Sequence, residues 1–485
     1  MKLIQDGFSC EFEMNIFINI FFKKEEEGII HTVFSHENDE IKVISEIEFL
    51  GDVYRADYSY PFSNSVTDKK LIKKIYSTSV VKAFVRSAKK IRPINLPWGV
   101  MSGIRPAKSV RKFREEGYSD SGIRELLGSI YEVTPEKIDL AMEVSKNEEE
   151  ILKKIGKNSV SIYIGIPFCP TRCLYCSFVS TDIRYSGRYI DDFLNCLVEE
   201  IKKTGEILDN LALNLENIYI GGGTPTTLSA EQLEKLLGTI NKYLKTDKLY
   251  EFTLEAGRPD TITKEKLIAA KNAGVTRISI NPQTMNEKTL EKIGRKHTPE
   301  QIRKSFADAR EVGFSNINMD LIAGLPDETP EMFYSSLEEI IGLDPENITV
   351  HSMCIKRSAD LARSGITLSD AGYIEKMLSY TQKRMRETNR DAYYMYRQKN
   401  ISGNSENVGY AKPGKMSYYN INIMEEAQTI LALGGGGATK LVFDNEIVRI
   451  FNFKDPYEYI RRFDEILKKK DEAAQILKAG EKLDK

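Results

Sequence analysis

Between residues 158 and 353 the chain alternates short β-branched runs with amphipathic stretches, and no other feature narrows its fold as much. The strand-like runs are SIYIGIPF (161–168), ENIYIGGG (216–223), YEFTLEAG (250–257), TRISINPQ (276–283), SNINMDLIAGLP (315–326) and ENITVHSM (346–353). Helical patterns lie between them. In AEQLEKLLGTINKYL, Leu233, Leu236, Leu237 and Ile240 mark one face at i, i+3, i+4 and i+7. Six such units in succession predict an α/β core with a parallel sheet and right-handed crossovers, as an open doubly wound sheet or a barrel. Either architecture gathers chemistry at the C-terminal ends of the strands. The unusual residues fall there: Cys169, Gly221 to Gly223, Glu255, Gln283 and Asp320.

The flanks read differently. Residues 13–62 hold apolar runs (EMNIFINIFF, GIIHTVFSH, IKVISEIEFL, DVYRADYSYPF) broken by KKEEEG and HENDE, which predicts a small antiparallel sheet. Amphipathic helices follow, interrupted by LPWGVMSGIRPAKS, a Gly- and Pro-containing loop with the single tryptophan, Trp98. After about residue 390 come a Tyr-rich stretch, DAYYMYRQKN, a Gly run, LALGGGGATK, and a charged helix expected to be solvated. The expected domains are 1–157, 158–390 and 391–485.

The 69 basic and 71 acidic residues leave a formal charge of −2, so no global positive field argues for a nucleic-acid partner. Asp6, Glu11 and Glu13 interrupt the N-terminal apolar run, and no apolar segment reaches about 18 residues. A cytoplasmic protein without a membrane span is expected. Six cysteines are too sparse for a disulfide scaffold.

Three of them are concentrated. Cys169, Cys173 and Cys176 form C-x3-C-x2-C in IPFCPTRCLYC, directly after the first buried strand. Structural zinc wants a fourth Cys or His, and the nearest downstream histidine is His297. An iron–sulfur cluster held by three thiolates leaves one iron open to another ligand. The second constellation, GGGTPT (221–226), frees a strand end for close approach by a ligand. It has neither the Lys of a P-loop nor GxGxxG spacing.

YIGIPFCPTRCLYCSF, GGGTPT, TLEAGRPD, ISINPQ, GRKHT and MDLIAGLP together resemble the radical S-adenosylmethionine (SAM) enzymes of the oxygen-independent coproporphyrinogen III dehydrogenase group, over roughly residues 160–360. Within it, LPWGVMSGIRP and NVGYAKPGK are similar to the HemZ branch, a relative of HemN and HemW. The resemblance implies a partial (β/α)6 TIM-like barrel between an N-terminal α+β domain and a C-terminal α/β extension. It implies a [4Fe-4S] cluster on Cys169, Cys173 and Cys176, with SAM chelated to the open iron. Tyr163, also the implied catalytic side chain, and Tyr175 line the SAM site in this reading. Gly222, Gly223 and Thr224 form its edge, and Glu255 lies on SAM. Gln283, Arg295 and Asp320 match positions that contact a second SAM, and the backbone near Cys354 and Gly434 to Gly437 closes on adenine.

The implied activity is oxidative decarboxylation of coproporphyrinogen III propionates to the vinyl groups of protoporphyrinogen IX. A low-potential donor such as flavodoxin or ferredoxin is the implied electron source. Arg357, Arg397 and Lys399 are candidate propionate anchors, and Tyr393, Tyr394 and Tyr396 either wall the tetrapyrrole or pack as a strand. His297 and His351 read as structural. The chain departs from the dehydrogenase pattern at Gly165, where that branch has a histidine, and at Phe178, where it has a fourth cysteine. The rival readings are a haem chaperone of the HemW kind and another tetrapyrrole-modifying radical SAM enzyme, such as a methyltransferase.

Overall fold

The computed structural model describes residues 1–176, 178, 180–244, 246–354, 371–398, 405–444 and 446–480, so Arg357 and Lys399 lie outside the described residues. Two compact units emerge. One comprises Met1–Ser145, Asp370–Glu375 and Tyr396–Glu406, and the other Lys146–Ser369, Lys376–Met395 and Asn407–Lys485.

The first unit starts with β1 (Lys2–Asp6), α1 (Glu11–Phe21), β2 (Ile29–Glu37), β3 (Glu40–Phe49) and β4 (Asp52–Pro61), in sheet order β1-β2-β3-β4. β1 pairs parallel with β2, and the other pairings are antiparallel. EMNIFINIFF, expected as a strand, is α1. Met14, Phe17, Ile18 and Phe21 are buried at i, i+3, i+4 and i+7, so the helical period wins over the apolar run. α2 (Lys69–Ile91), N-capped by the Asp68 carboxylate, packs on β3 and β4. α3 (Pro106–Glu115), α4 (Asp120–Ser129) and α5 (Pro135–Leu152) follow.

Arg397 belongs to this unit and is buried. Its Nη1 donates to the carbonyls of Met101 (2.7 Å) and Gly103 (3.2 Å), and the guanidinium lies 5.5 Å from the Trp98 ring. The expected propionate anchor therefore braces the LPWGVMSG loop instead.

The second unit is built on β5 (Ser159–Ile166), α6 (Ile190–Asn210), β6 (Asn214–Gly222), α7 (Ala230–Tyr243), β7 (Glu251–Gly257), α8 (Lys264–Asn272), β8 (Arg277–Ile280), α9 (Pro299–Val312), β9 (Ile317–Ala323), α10 (Pro330–Leu343) and β10 (Asn347–Ser352). β5 to β10 pair in parallel in strict chain order. Sequential order with crossovers of one hand puts every helix on the same face, which curls the sheet as in a barrel and leaves no doubly wound switch point.

After α11 (Ala371–Glu387), β11 (Asp391–Arg397) and β12 (Glu406–Ala411) extend the sheet beyond β10. Tyr393 and Tyr394 on β11 are buried, as the packing alternative expects. α12 (Tyr418–Glu425) precedes β13 (Thr429–Gly434), which pairs parallel with β5. β14 (Ala438–Val442) and β15 (Ile447–Phe451) complete that edge before α13 (Phe463–Gly480).

α13 is not simply a solvated helix. Lys470 lies 2.9 Å from the Glu200 carboxylate on α6, and both side chains are buried. Glu200 also accepts from the Gly434 amide (2.8 Å), Asn452 Nδ2 (2.8 Å) and the Tyr459 hydroxyl (2.6 Å). Lys470→Ala would leave an uncompensated buried carboxylate, so urea unfolding should show a loss of about 3–5 kcal/mol; a loss under about 1 kcal/mol would mean that the pair is not a stabilising tie.

Candidate functional site

The thiols lie on the loop that leaves β5. Cys169 and Cys173 are buried and Cys176 is half-buried. The Cys176 amide donates to the Cys173 carbonyl at 3.0 Å, and the three thiols lie within electrostatic reach of one another. Burial pushes the Cys169 and Cys176 thiols up, and metal ligation reverses that by removing the proton outright. Among the described residues no three His, Cys, Asp or Glu side chains converge as ligands of one metal ion. Ligands of a cluster each take a different iron, so they stand farther apart than ligands of a single ion.

The loop is held from outside. Leu174 N–H donates to the Ile293 carbonyl at 3.0 Å, and Leu174 and Tyr175 pack against Ile293, Ile322, Leu325 and Met353. Arg295 donates through Nε to the Tyr175 hydroxyl at 3.2 Å and through Nη1 to the Asn281 carbonyl, and its guanidinium also reaches Cys173.

Arg258, which the sequence reading missed, is as close. Its Nη1 donates to Thr171 O (3.1 Å) and Oγ1 (2.7 Å) and faces Cys173 Sγ at 3.9 Å. Its Nε and Nη2 grip Asp260 at 3.0 and 2.7 Å. The available signal was its position in AGRPD, immediately after β7, the strand that carries Glu255. Two buried guanidiniums beside the Cys173 sulfur would favour the more negative, reduced state of a cluster held there. Arg258→Gln should move the midpoint potential of the reconstituted cluster to more negative values in spectroelectrochemistry; an unchanged potential would show that Arg258 only shapes the loop. Burial, reinforced by Arg295, pushes the His297 imidazole down to about 3, so it packs nearby as a neutral ring.

The Gly-rich edge lies one strand away. Gly223 N–H donates to the Ile166 carbonyl and Thr224 N–H to the Phe168 carbonyl, both at 2.8 Å. A Cβ on Gly223 would fall 2.5 Å from the Phe168 carbonyl, so only glycine lets this edge meet the thiol loop. Thr224 Oγ1 lies 3.5 Å from Cys169 Sγ. On the other side of β5, the Gly435 amide donates to the Gly165 carbonyl at 3.0 Å, and a Cβ on Gly165 would meet the Gly435 carbonyl at 2.6 Å. The histidine of the dehydrogenase pattern is thus excluded here by the Gly434–Gly437 turn.

Inside the sheet, Tyr163, Tyr219 and Tyr419 stack, with Tyr219 and Tyr419 centroids 4.6 Å apart and Tyr163 6.2 Å from Tyr219. The Tyr219 hydroxyl donates to Glu255 Oε1. Burial, with Asp320 nearby, raises the Glu255 carboxyl to about 7 despite the hydrogen bond from Tyr219. Burial also acts on Asp320, but His351, whose Nε2 is 3.8 Å away, and Asn318, whose Nδ2 donates at 2.7 Å, hold it below the usual carboxylate range. His351 therefore faces Asp320. Gln283 is held in the left-handed region (φ 69°), its amide donates to the Asp320 carbonyl at 2.9 Å, and its buried Oε1 makes no hydrogen bond. Phe178 is exposed.

Residues 163–340 match the family model of the radical SAM superfamily. The oxygen-independent coproporphyrinogen-III oxidase-like protein HemZ of Bacillus subtilis (strain 168) is 37% identical over 444 residues, 90% of this chain and 88% of that protein. The chain belongs to the radical SAM coproporphyrinogen-III oxidase-like family. The haem chaperone HemW of the same organism is 43% identical over 201 residues, 40% of this chain and 51% of that one. Coproporphyrinogen III oxidase HemN from Escherichia coli, a radical SAM enzyme, shares the fold at a TM-score of 0.50 and 20% identity, over 66% of this chain and 72% of its own. Family membership implies a [4Fe-4S] cluster and SAM. The residues present suit both: three thiols on one loop facing two guanidiniums, a glycine edge that admits close approach, and a buried amide oxygen at Gln283 with no partner. Among the described residues no helix is long and apolar enough to cross a membrane.

Proposed function

We propose that the chain is an oxygen-independent enzyme that oxidatively decarboxylates the propionates of coproporphyrinogen III to vinyl groups. The observation that carries this reading is the near-full-length similarity to HemZ, which includes the region outside the barrel; three thiols and a Gly-rich edge lying close together support it. Cys169, Cys173 and Cys176 would hold the cluster. Tyr175, Gly222, Gly223, Thr224 and Glu255 would seat SAM beside it, and Gln283, Arg295 and Asp320 would line the same face.

A bound, reduced cluster with SAM would supply the one-electron chemistry for taking a hydrogen from the propionate β-carbon, and the overall conversion to a vinyl group would release CO2 and one further electron. The chain contributes placement. Glu255 would accept from the SAM amino group, the Gly222–Thr224 edge would keep side chains out of the ligand's path, and the Tyr163–Tyr219–Tyr419 stack would close the floor against water. The two carboxyls pushed apart, Glu255 up and Asp320 down, give one proton-holding and one permanently charged group on the same face. Tyr163 acts here through the stack and the orientation of Glu255.

A second reading has its own support: a 201-residue stretch is 43% identical to a haem chaperone, and Gly165 and Phe178 depart from the dehydrogenase pattern. Anaerobic incubation of the reconstituted protein with SAM, a reductant and coproporphyrinogen III separates the two. Vinyl porphyrin with matching CO2 supports the decarboxylase; stoichiometric haem binding with no vinyl product supports the chaperone.

A further inference from the structure

The first unit contains a cavity of about 380 Å³, within the range of small-molecule sites, that the barrel chemistry does not use. One wall is the start of α2, where Lys70, Lys73 and Lys74 face it; the opposite wall is the LPWGVMSG loop, through Val100 and Met101. Phe113 and Tyr131 also line it, and both are buried. Lys74 Nζ sits over both rings, 4.4 Å from the Phe113 centroid and 5.4 Å from that of Tyr131.

Two features make this more than a solvated lysine face. Lys70 stands at i, i+3 and i, i+4 from Lys73 and Lys74, an arrangement that costs a helix a few tenths of a kcal/mol per pair unless an anion lies between them. Among the described residues none of the three forms an ion pair with a carboxylate; Glu116 acts on Lys74 only at longer range, and Glu13 is the one carboxylate on the wall. The opposite wall is also preformed. The Arg397 guanidinium fixes the Met101 and Gly103 carbonyls, and Trp98 Nε1 donates at 2.7 Å to Glu406, which pairs at 2.6 Å with buried Lys137. A cationic rim over an aromatic and apolar floor recognises one kind of molecule: an oxyanion carried on a flat apolar ring.

We propose that this cavity is a binding site for a small molecule bearing a carboxylate or phosphate on an aromatic body. It rests on no part of the decarboxylase reading, because its walls come from residues 13–131 alone. The test measures coproporphyrin III and ATP binding to the full chain by fluorescence and calorimetry, at low and high salt. Four proteins are compared: wild type, the Lys70→Gln/Lys73→Gln/Lys74→Gln variant, the corresponding triple arginine variant and Cys173→Ala. The expected result is saturable, salt-weakened binding of one of the two ligands that falls about tenfold or more in the triple variant and is unchanged in Cys173→Ala. The ligand that binds identifies the source, a tetrapyrrole carboxylate or a nucleotide phosphate. A second triple variant, with arginine at the three positions, should bind like wild type, which separates loss of charge from loss of fold. Binding that survives the glutamine variant, binding that falls only in Cys173→Ala, or no saturable binding of either ligand would overturn the proposal.

Discussion

Replacing Cys173 with Ala should abolish SAM cleavage while leaving a folded chain. The C-x3-C-x2-C loop offers three thiols, and two cannot hold a cluster that needs three protein ligands and an open iron. Cys173 is also the thiol that both Arg258 and Arg295 address, so its loss removes the one sulfur they share while Arg258 keeps its pair with Asp260. The loop itself keeps its other ties, Leu174 to Ile293 and Arg258 to Thr171 and Asp260, and stability should change by no more than about 1 kcal/mol. Iron and sulfide content after reconstitution, visible absorbance and 5′-deoxyadenosine formation should fall together to background. A variant that retains iron and cleaves SAM would refute the cluster assignment.

Glu255→Gln should have the second largest effect, and pH is its signature. Burial and Asp320 hold the Glu255 carboxyl near pH 7, so the apo site is partly protonated under ordinary conditions. A cationic ligand favours the ionised form, which gives wild type tighter SAM binding as pH rises from about 6 to 8, with proton release on binding. Gln keeps the acceptor for the Tyr219 hydroxyl but loses the charge. Calorimetry should show SAM affinity lowered about 10- to 100-fold with the pH dependence removed.

Stability moves the opposite way. The folded pKa of about 7 lies above the ordinary carboxyl value of 4.5, so between those values the native state holds a proton that the unfolded chain has released. The wild type therefore loses stability as pH rises through that window, and the Gln variant avoids a cost of about 3 kcal/mol at pH 8. Equal SAM affinity of the two proteins at pH 8 would remove Glu255 from the ligand site.

How much of this was legible in the sequence depends on the kind of interaction involved. The α/β core could be read because strand and helix periods alternate cleanly from Val160 to Ser352, and a parallel sheet in chain order leaves few topologies. The thiol loop and Gly-rich edge could be read because each is a run of adjacent residues. EMNIFINIFF misled because a run apolar at nearly every position carries both periods, and only the buried set Met14, Phe17, Ile18 and Phe21 shows which one applies. Arg258, His351, Glu200 and Tyr419 escaped for a different reason. Each acts on a residue far away in sequence: Arg258 on Cys173, His351 on Asp320, Glu200 on Lys470 and Gly434, Tyr419 on Tyr219. Arg397 was read as a substrate anchor from its charge and neighbourhood, and the pairing that engages it, with Met101 and Gly103, spans almost 300 residues.

Gly165 shows how a departure from a family pattern acquires a physical cause. The Gly434–Gly437 turn occupies the space a side chain there would need, and Glu200 anchors that turn through the Gly434 amide. The chain has therefore fixed a backbone wall where the dehydrogenase pattern places a titratable ring.

The central claim is that the strand-end site of this chain directs hydrogen abstraction from a propionate side chain. Label transfer tests it most directly. The reconstituted, reduced protein is incubated anaerobically with SAM and coproporphyrinogen III deuterated at the propionate β-carbons, and 5′-deoxyadenosine is analysed by mass spectrometry. Deuterium should appear in 5′-deoxyadenosine in proportion to vinyl product. Unlabelled 5′-deoxyadenosine, formed at the same rate with or without the porphyrinogen, would contradict it.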